Sequence, residues 1–88
     1  MKTIFKSSFQ RDIKKIIDAD LLFLIAEAIK NVDNAKNTNE IDNLKKLVGY
    51  KTYSRIKIKD YRIGLNIEDD IVYFVRFLHR KDIYKFFP

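Results

Sequence analysis

The 88 residues include no cysteine, so no disulfide cross-links this chain, and folding has to rest on an apolar core. One histidine and scattered carboxylates give no metal-ligand spacing, and neither a phosphate-binding glycine loop nor a Ser/His/Asp arrangement can be found. These absences exclude most familiar hydrolytic machinery and lead us to expect no metal and no cofactor. Two glycines and one proline leave little room for a flexible linker, and no repeat or low-complexity segment interrupts the chain, so residues 1 to 88 are expected to form a single domain. Long apolar runs are missing too. The longest, Leu21 to Ala26, is far too short to cross a bilayer, and Met1 to Lys6 lacks the apolar stretch of a secretory signal. The expectation is a soluble, cytoplasmic protein with no membrane partner.

What is present is apolar and basic. Hydrophobic residues make up 47% of the chain, with seven Phe and five Tyr, which is enough for one compact core. The net charge is +6, unevenly placed: residues 1 to 50 contribute +2 and the shorter stretch 51 to 88 contributes +4. That asymmetry favours a phosphate-rich or acidic partner through long-range attraction and counterion release, with a basic surface kept for solubility as the plain alternative.

Periodicity predicts the elements. Thr3 to Lys6 reads as a first strand, and Ser7 with Gln10 three positions on reads as a capping box. Phe9, Ile13, Ile16 and Ile17 then recur at helical spacing with Arg11, Lys14 and Lys15 on the other side. Either Asp18 or Asp20 caps a second helix whose apolar face includes Leu21, Ile25, Ala28 and Val32. The Asn-rich stretch 31 to 43 reads as a loop. From residue 52 the period is two: Ile56 and Ile58 oppose Arg55, Lys57 and Lys59, while Tyr61, Ile63, Leu65 and Ile67 oppose Arg62, Gly64 and Asn66. Ile71 to Leu78 is apolar on both parities except at Arg76, as in an interior strand, and residues 82 to 88 form either a helical turn or an edge segment anchored by Phe86 and Phe87. The order is β-α-α-β-β-β, an α+β fold with a helical hairpin on one face of an antiparallel sheet and the cations on the other.

A two-residue turn at Lys59-Asp60 sets Lys57 opposite Arg62, where like charges repel. A second turn at Glu68-Asp69-Asp70 extends this to a row of Lys57, Arg62 and Arg76 over three strands, a repulsion that a polyanion would relieve. Arg76 has a second reading, as the structural partner of a carboxylate beneath the sheet. The side chains available for chemistry are Arg, Lys, Tyr and His79, an inventory that suits RNA cleavage by the substrate's own 2′-hydroxyl, since the protein then needs only to orient it and stabilise a charged phosphorane.

The order of elements, with Leu44-Lys45-Lys46-Leu47-x-Gly49, Tyr53-Ser54-Arg55-Ile56-Lys57-Ile58-Lys59-Asp60-Tyr61-Arg62-Ile63 and Val75-Arg76-Phe77-Leu78-His79-Arg80-Lys81-Asp82-Ile83-Tyr84, resembles the RelE/ParE toxin superfamily, its RelE branch most. The resemblance covers nearly the whole chain. It implies the toxin half of a type II toxin–antitoxin pair, a ribosome-dependent endoribonuclease acting on mRNA in the decoding site, with the ribosome (70S), mRNA and an acidic antitoxin as partners. It further implies Lys57 as base toward the 2′-hydroxyl, Arg62 as the transition-state clamp, Arg80 as donor to the leaving group and Tyr84 as the residue that stacks on or orients the substrate. Arg55 matches a second basic position on the same strand, and Arg76 and His79 join it as substrate-binding candidates. Arginine holds its proton under nearly all conditions, so general chemistry keeps His79 beside Arg80 as the acid. Lys14, Lys15, Lys45 and Lys46 are candidates for ribosomal RNA contacts away from the active face. Two other functions fit the same residues less well: a ParE-like toxin that binds DNA gyrase, and a non-catalytic RNA-binding module.

Overall fold

The computed structural model describes every residue from Met1 to Pro88. Strand β1 (Lys2–Phe5) leads into helices α1 (Ser7–Lys14) and α2 (Ala19–Asn34), a short 3-10 turn (Thr38–Glu40), and strands β2 (Leu44–Lys46), β3 (Tyr53–Ile58), β4 (Tyr61–Glu68) and β5 (Ile71–His79), with a final turn of helix α3 (Ile83–Phe86). The sheet runs β1-β5-β4-β3-β2. The expected α+β arrangement is present, with two additions. The strand β1 runs parallel to β5, making the sheet mixed, and three residues of the lysine-rich stretch before Gly49 form the edge strand β2.

Alternation along the strands builds the core. Ile56, Ile58, Ile63, Leu65, Val72, Phe74 and Phe77 share one sheet face and close against Phe9, Leu21, Ile25 and Val32 of the helices. Asp18 caps α2 by accepting the Leu21 N–H at 3.1 Å, which settles the choice between Asp18 and Asp20. To do so Asp18 takes an extended backbone (φ −68°, ψ 116°), so α1 stops at Lys14 and Ile17 falls in the link, 94% exposed rather than in the buried stripe. The capping box at Ser7 does not form either. Lys6 occupies the cap position without a side-chain bond, and Gln10 donates instead to the Phe5 carbonyl. The helix α2 also continues to Asn34, into the stretch expected as loop.

The edge of β5 is divided between two kinds of neighbour. The strand β1 pairs with Ile71 to Phe74, and beyond Phe5 the chain turns into α1, which lies along the rest of that edge. The Lys6 N–H donates to the Phe74 carbonyl, the Ser8 hydroxyl donates to the Val75 carbonyl, and Asp12 accepts from the Phe77 N–H at 2.9 Å. Side chains of a helix thus satisfy backbone groups that a strand would otherwise have to meet.

The far sheet face is covered only in part, by the C-terminal segment. Ile83 is fully buried, and the ring of Phe87 lies over Gly64, where an added Cβ would come within 2.8 Å of it. Glycine is required at that point because the aromatic ring rests on the strand backbone itself. Phe87 packs edge-on to Tyr53 (5.4 Å between centroids), whereas Phe86, expected as a second anchor, is 59% exposed.

Candidate active site

Lys57 on β3 and Arg62 on β4 are direct cross-strand partners on the face away from the helices, as the hairpin count requires. Lys59 adopts φ 51° at the turn that joins them. The Arg62 guanidinium donates to the Lys59 and Tyr61 carbonyls, both at 2.9 Å, and meets no carboxylate. Those bonds fold the side chain back over the turn and leave its charge unneutralised. Arg80 joins the same end of the sheet: its N–H donates to the Asp60 carbonyl at 2.7 Å, and its Nε stands 3.6 Å from Asp60 Oδ1 with both side chains mostly exposed. Four cations, Lys57, Arg62, Arg80 and Lys59 of the turn itself, therefore gather around one turn with a single loosely held carboxylate among them.

Arg76 belongs elsewhere, and the row Lys57, Arg62, Arg76 does not exist. Arg62 lies opposite Leu78, and Arg76 lies opposite Gly64. The expected count fails by two residues for two reasons. The β4–β5 turn is tighter, with only Asp69 and Asp70 between the strands, both at positive φ (51° and 62°) as a two-residue hairpin demands. In addition, β5 carries one extra residue, Val75, in a bulge opposite the Gly64–Leu65 step. Arg76 is then bound through two nitrogens by Asp12, Nε to Oδ2 at 2.8 Å and Nη2 to Oδ1 at 3.2 Å. This is the carboxylate partner that the second reading of Arg76 required.

His79 is not brought to the cations. It lies opposite Tyr61 on the helix-covered side, its ring edge-on to Tyr61, and its Nδ1 accepts the Lys81 N–H at 3.1 Å. Tyr84, 63% exposed, lines a cleft of about 510 Å³ with Arg55, Lys45, Lys46 and Tyr50, floored by Phe87 and Pro88. Arg55 and Lys57 share a strand face two positions apart, roughly 7 Å along the strand, so the cleft adjoins the Lys57–Arg62 pair. Lys45, paired with Arg55 through β2, and Lys46 thus belong to this cleft and not to a surface remote from it. Lys14 and Lys15 are exposed at the end of α1.

The fold agrees with what the chain is similar to. A family model described as the ParE toxin of type II toxin–antitoxin systems matches residues 3–84. The Toxin RelE3 of Methanocaldococcus jannaschii is 36% identical over 89 residues, spanning 100% of both chains. This chain belongs to the RelE/ParE superfamily of toxins.

The crystal structure of a RelB-RelE antitoxin-toxin complex from Methanococcus jannaschii contains a chain that superposes on the toxin with a TM-score of 0.81 at 34% identity, covering 97% of this chain and 99% of that one. The fold alone is shared with a chain of the E. coli DinJ-YafQ complex (TM-score 0.62, 15% identity, 94% and 97% covered). It is also shared with a chain of the RelBE2 complex of Mycobacterium tuberculosis (0.63, 18%, 90% and 96%). No helix of the toxin is long and apolar enough to cross a membrane.

Two participants escape sequence reasoning. Asp12 reads as one polar position on an amphipathic helix, and nothing local marks it as the partner of a residue 64 positions away. Tyr50 follows Gly49, whose φ of 86° makes the turn before β3, and its place in the cleft depends on the three-residue strand β2, too short to leave a period. The lysine pair Lys45-Lys46 was the available signal.

Proposed function

We propose that this toxin is an endoribonuclease that cleaves mRNA in the decoding site of the ribosome, in the cytoplasm, and is held in check by a cognate antitoxin. The observation that carries the reading is the Lys57–Arg62 pair, two cations placed side by side on an uncovered sheet face and joined to no carboxylate. A fold gains nothing from that arrangement, whereas a phosphodiester would relieve it. In the reaction the neutral amine form of Lys57 takes the proton of the 2′-hydroxyl, the 2′ oxygen bonds to phosphorus, and the bond from phosphorus to the 5′ oxygen breaks. Arg62 holds the charge that builds on the phosphorane, and Arg80 gives the departing 5′ oxygen a proton that it regains from solvent, leaving a 2′,3′-cyclic phosphate and a 5′-hydroxyl. The substrate supplies the nucleophile, so the small inventory of the chain is sufficient.

The partner reading rests on the relatives crystallised as antitoxin–toxin complexes, together with the net charge of +6 and exposed apolar side chains such as Phe23 at 62%. The matching family model is described as a ParE toxin, which keeps the second reading that the resemblance implied, a gyrase-binding toxin without nuclease activity. Incubating the purified toxin with programmed ribosomes and mapping 5′ ends separates the two. Discrete cuts bearing cyclic phosphate are expected. Intact message together with inhibited gyrase supercoiling would replace the first reading by the second.

A further inference from the structure

Arg80 is assigned to the departing oxygen, yet no side chain holds its guanidinium firmly. It is 58% exposed and its one carboxylate neighbour, Asp60, stands 3.6 Å away, so where it points depends on the backbone that carries it. That backbone is a turn. Three residues, Arg80, Lys81 and Asp82, lie between the last strand pair, Tyr61 with His79, and the fully buried Ile83. Each of their N–H groups has an acceptor: Arg80 donates to the Asp60 carbonyl at 2.7 Å, Lys81 to the imidazole Nδ1 of His79 at 3.1 Å, and Asp82 to the His79 carbonyl at 2.8 Å. One residue thus supplies two of the three acceptors.

The imidazole is itself held in place. Its ring stands edge-on to Tyr61 (5.3 Å between centroids, 75° between planes), and Tyr61 lies flat on Phe77 (5.0 Å, 4°), which is 2% exposed. Three rings in series therefore tie His79 to the core. An accepting Nδ1 carries no hydrogen, so the ring proton sits on Nε2. The strand backbone lies between this ring and the Lys57–Arg62 pair, because residues in register with Tyr61 project to one side of the sheet and those in register with Arg62 to the other. His79 is placed to act on the turn and not on the phosphate.

We propose that His79 is a positioning residue for Arg80: by accepting the Lys81 N–H, its Nδ1 fixes the turn at residues 80 to 82 and with it the direction in which the Arg80 guanidinium leaves the strand. What Arg80 does there rests on the endonuclease reading; the hold on the turn goes beyond it. The requirement is for an acceptor two residues before the donor, and an asparagine oxygen can meet it, as Asn37 does for the Asn39 N–H at 2.9 Å in this same chain. No proton needs to leave the ring.

The test compares two full-length variants that separate packing from hydrogen bonding. His79→Phe keeps a ring against Tyr61 and has no acceptor, whereas His79→Asn has the acceptor and no ring; circular dichroism checks that both fold. Backbone NMR order parameters of residues 80 to 82 are expected near about 0.85 in the wild type and in His79→Asn, and below about 0.6 in His79→Phe. On programmed ribosomes His79→Phe should lower kcat about tenfold or more and leave KM within about twofold, since the departing oxygen needs its donor only in the transition state. His79→Asn should keep kcat within about threefold of wild type.

A His79→Asn protein as slow as His79→Phe would overturn the proposal, because the ring would then be giving a proton itself. Wild-type kcat in His79→Phe, or equal order parameters in all three proteins, would overturn it as well. The two readings fail separately. Wild-type toxin that leaves the message intact, with order parameters lowered only in His79→Phe, removes the cutting reaction and keeps the hold on Arg80. Wild-type toxin that cuts the message, with order parameters alike in all three proteins, does the reverse.

Discussion

Arg76 and Arg62 sit on neighbouring strands, and their surroundings divide the molecule into a part that holds the fold and a part free for chemistry. At the α1 edge, Arg76 is gripped by Asp12, which is 7% exposed and accepts from the Phe77 N–H as well, so each strong polar group there has a partner within the protein. At the Lys59–Asp60 turn, Arg62 bonds only to backbone carbonyls and faces Lys57, another cation. The same residue type is thus structural in one place and unspent in the other. Charge alone does not reveal which, because the difference lies in what each guanidinium meets.

The sharpest test of this contrast is to delete each arginine. Arg62→Ala should reduce mRNA cleavage and growth inhibition at least about 100-fold, the usual loss when one donor to a developing charge is removed. Its unfolding free energy should stay within about 0.5 kcal/mol of wild type, since a repelled, partly exposed cation contributes little to stability. Lys57→Ala should behave alike. A folded Arg62→Ala protein with full toxicity would erase the distinction between the two ends of the sheet.

The converse variant comes next. Asp12→Ala strands the Arg76 charge and leaves the Phe77 N–H without its acceptor, so unfolding in urea should show a loss of about 3 kcal/mol, the lower end for a broken buried pair because Arg76 retains some access to water. The bulge at Val75 should loosen with it. Amide exchange at residues 75 to 79 should then quicken before the rest of the sheet. If Asp12→Ala unfolds like wild type, the α1 edge is no more structural than the turn end.

How much of this could be read in advance follows the same division. The Lys57–Arg62 pair was legible because a two-residue hairpin propagates a period of two over a few neighbouring residues, and its register has no freedom once the turn is placed. The place of Arg76 was not, because one extra residue in β5 shifts every pairing beyond it, and the groups that hold the bulge, Ser8 and Asp12, come from a helix far back in the chain. Ile17 is exposed for a related reason: apolar spacing continues past the point where the Asp18 cap begins the next helix. The expected cationic face was right in kind, but the Lys45 and Lys46 contribution needed β2, whose three residues carry no pattern. Local periods were readable, and long-range side-chain anchors were not.

A third variant acts on the surface between the two regions. Gly64 stands opposite Arg55 on one side and Arg76 on the other, with Phe87 seated on its backbone. Gly64→Ala cannot keep that seat, since ring atoms lie 2.8 Å from the new methyl group, and either the ring or the strand has to move. A loss of about 1–3 kcal/mol is expected for such overpacking. Because the C-terminal segment is the easier part to displace, hydrogen exchange of residues 83 to 87 should rise more than that of β4. Cleavage should fall through KM, as Tyr84 leaves the cleft while Lys57 and Arg62 stay in register. Unchanged exchange at residues 83 to 87 would show that the segment is not held by this contact.

The smallest effect concerns Arg80, which stands between the two extremes. Its ion pair with Asp60 is 3.6 Å long and exposed on both sides, a geometry that contributes about 0.5 kcal/mol or less. The backbone bond from the Arg80 N–H to the Asp60 carbonyl is much shorter, 2.7 Å, and survives any change of the Asp60 side chain. Asp60→Asn should therefore leave stability nearly unchanged and keep the end of β5 in place, while removing the one carboxylate that competes with phosphate for Arg80. Cleavage is expected to hold or rise up to about threefold, because weakening a competing exposed pair returns only part of its small energy to the substrate. A fall of 100-fold with the fold intact would mean that the Asp60 carboxylate itself takes part in proton transfer. The turn end would then hold an acid–base group, and Arg62 would no longer be acting among cations alone.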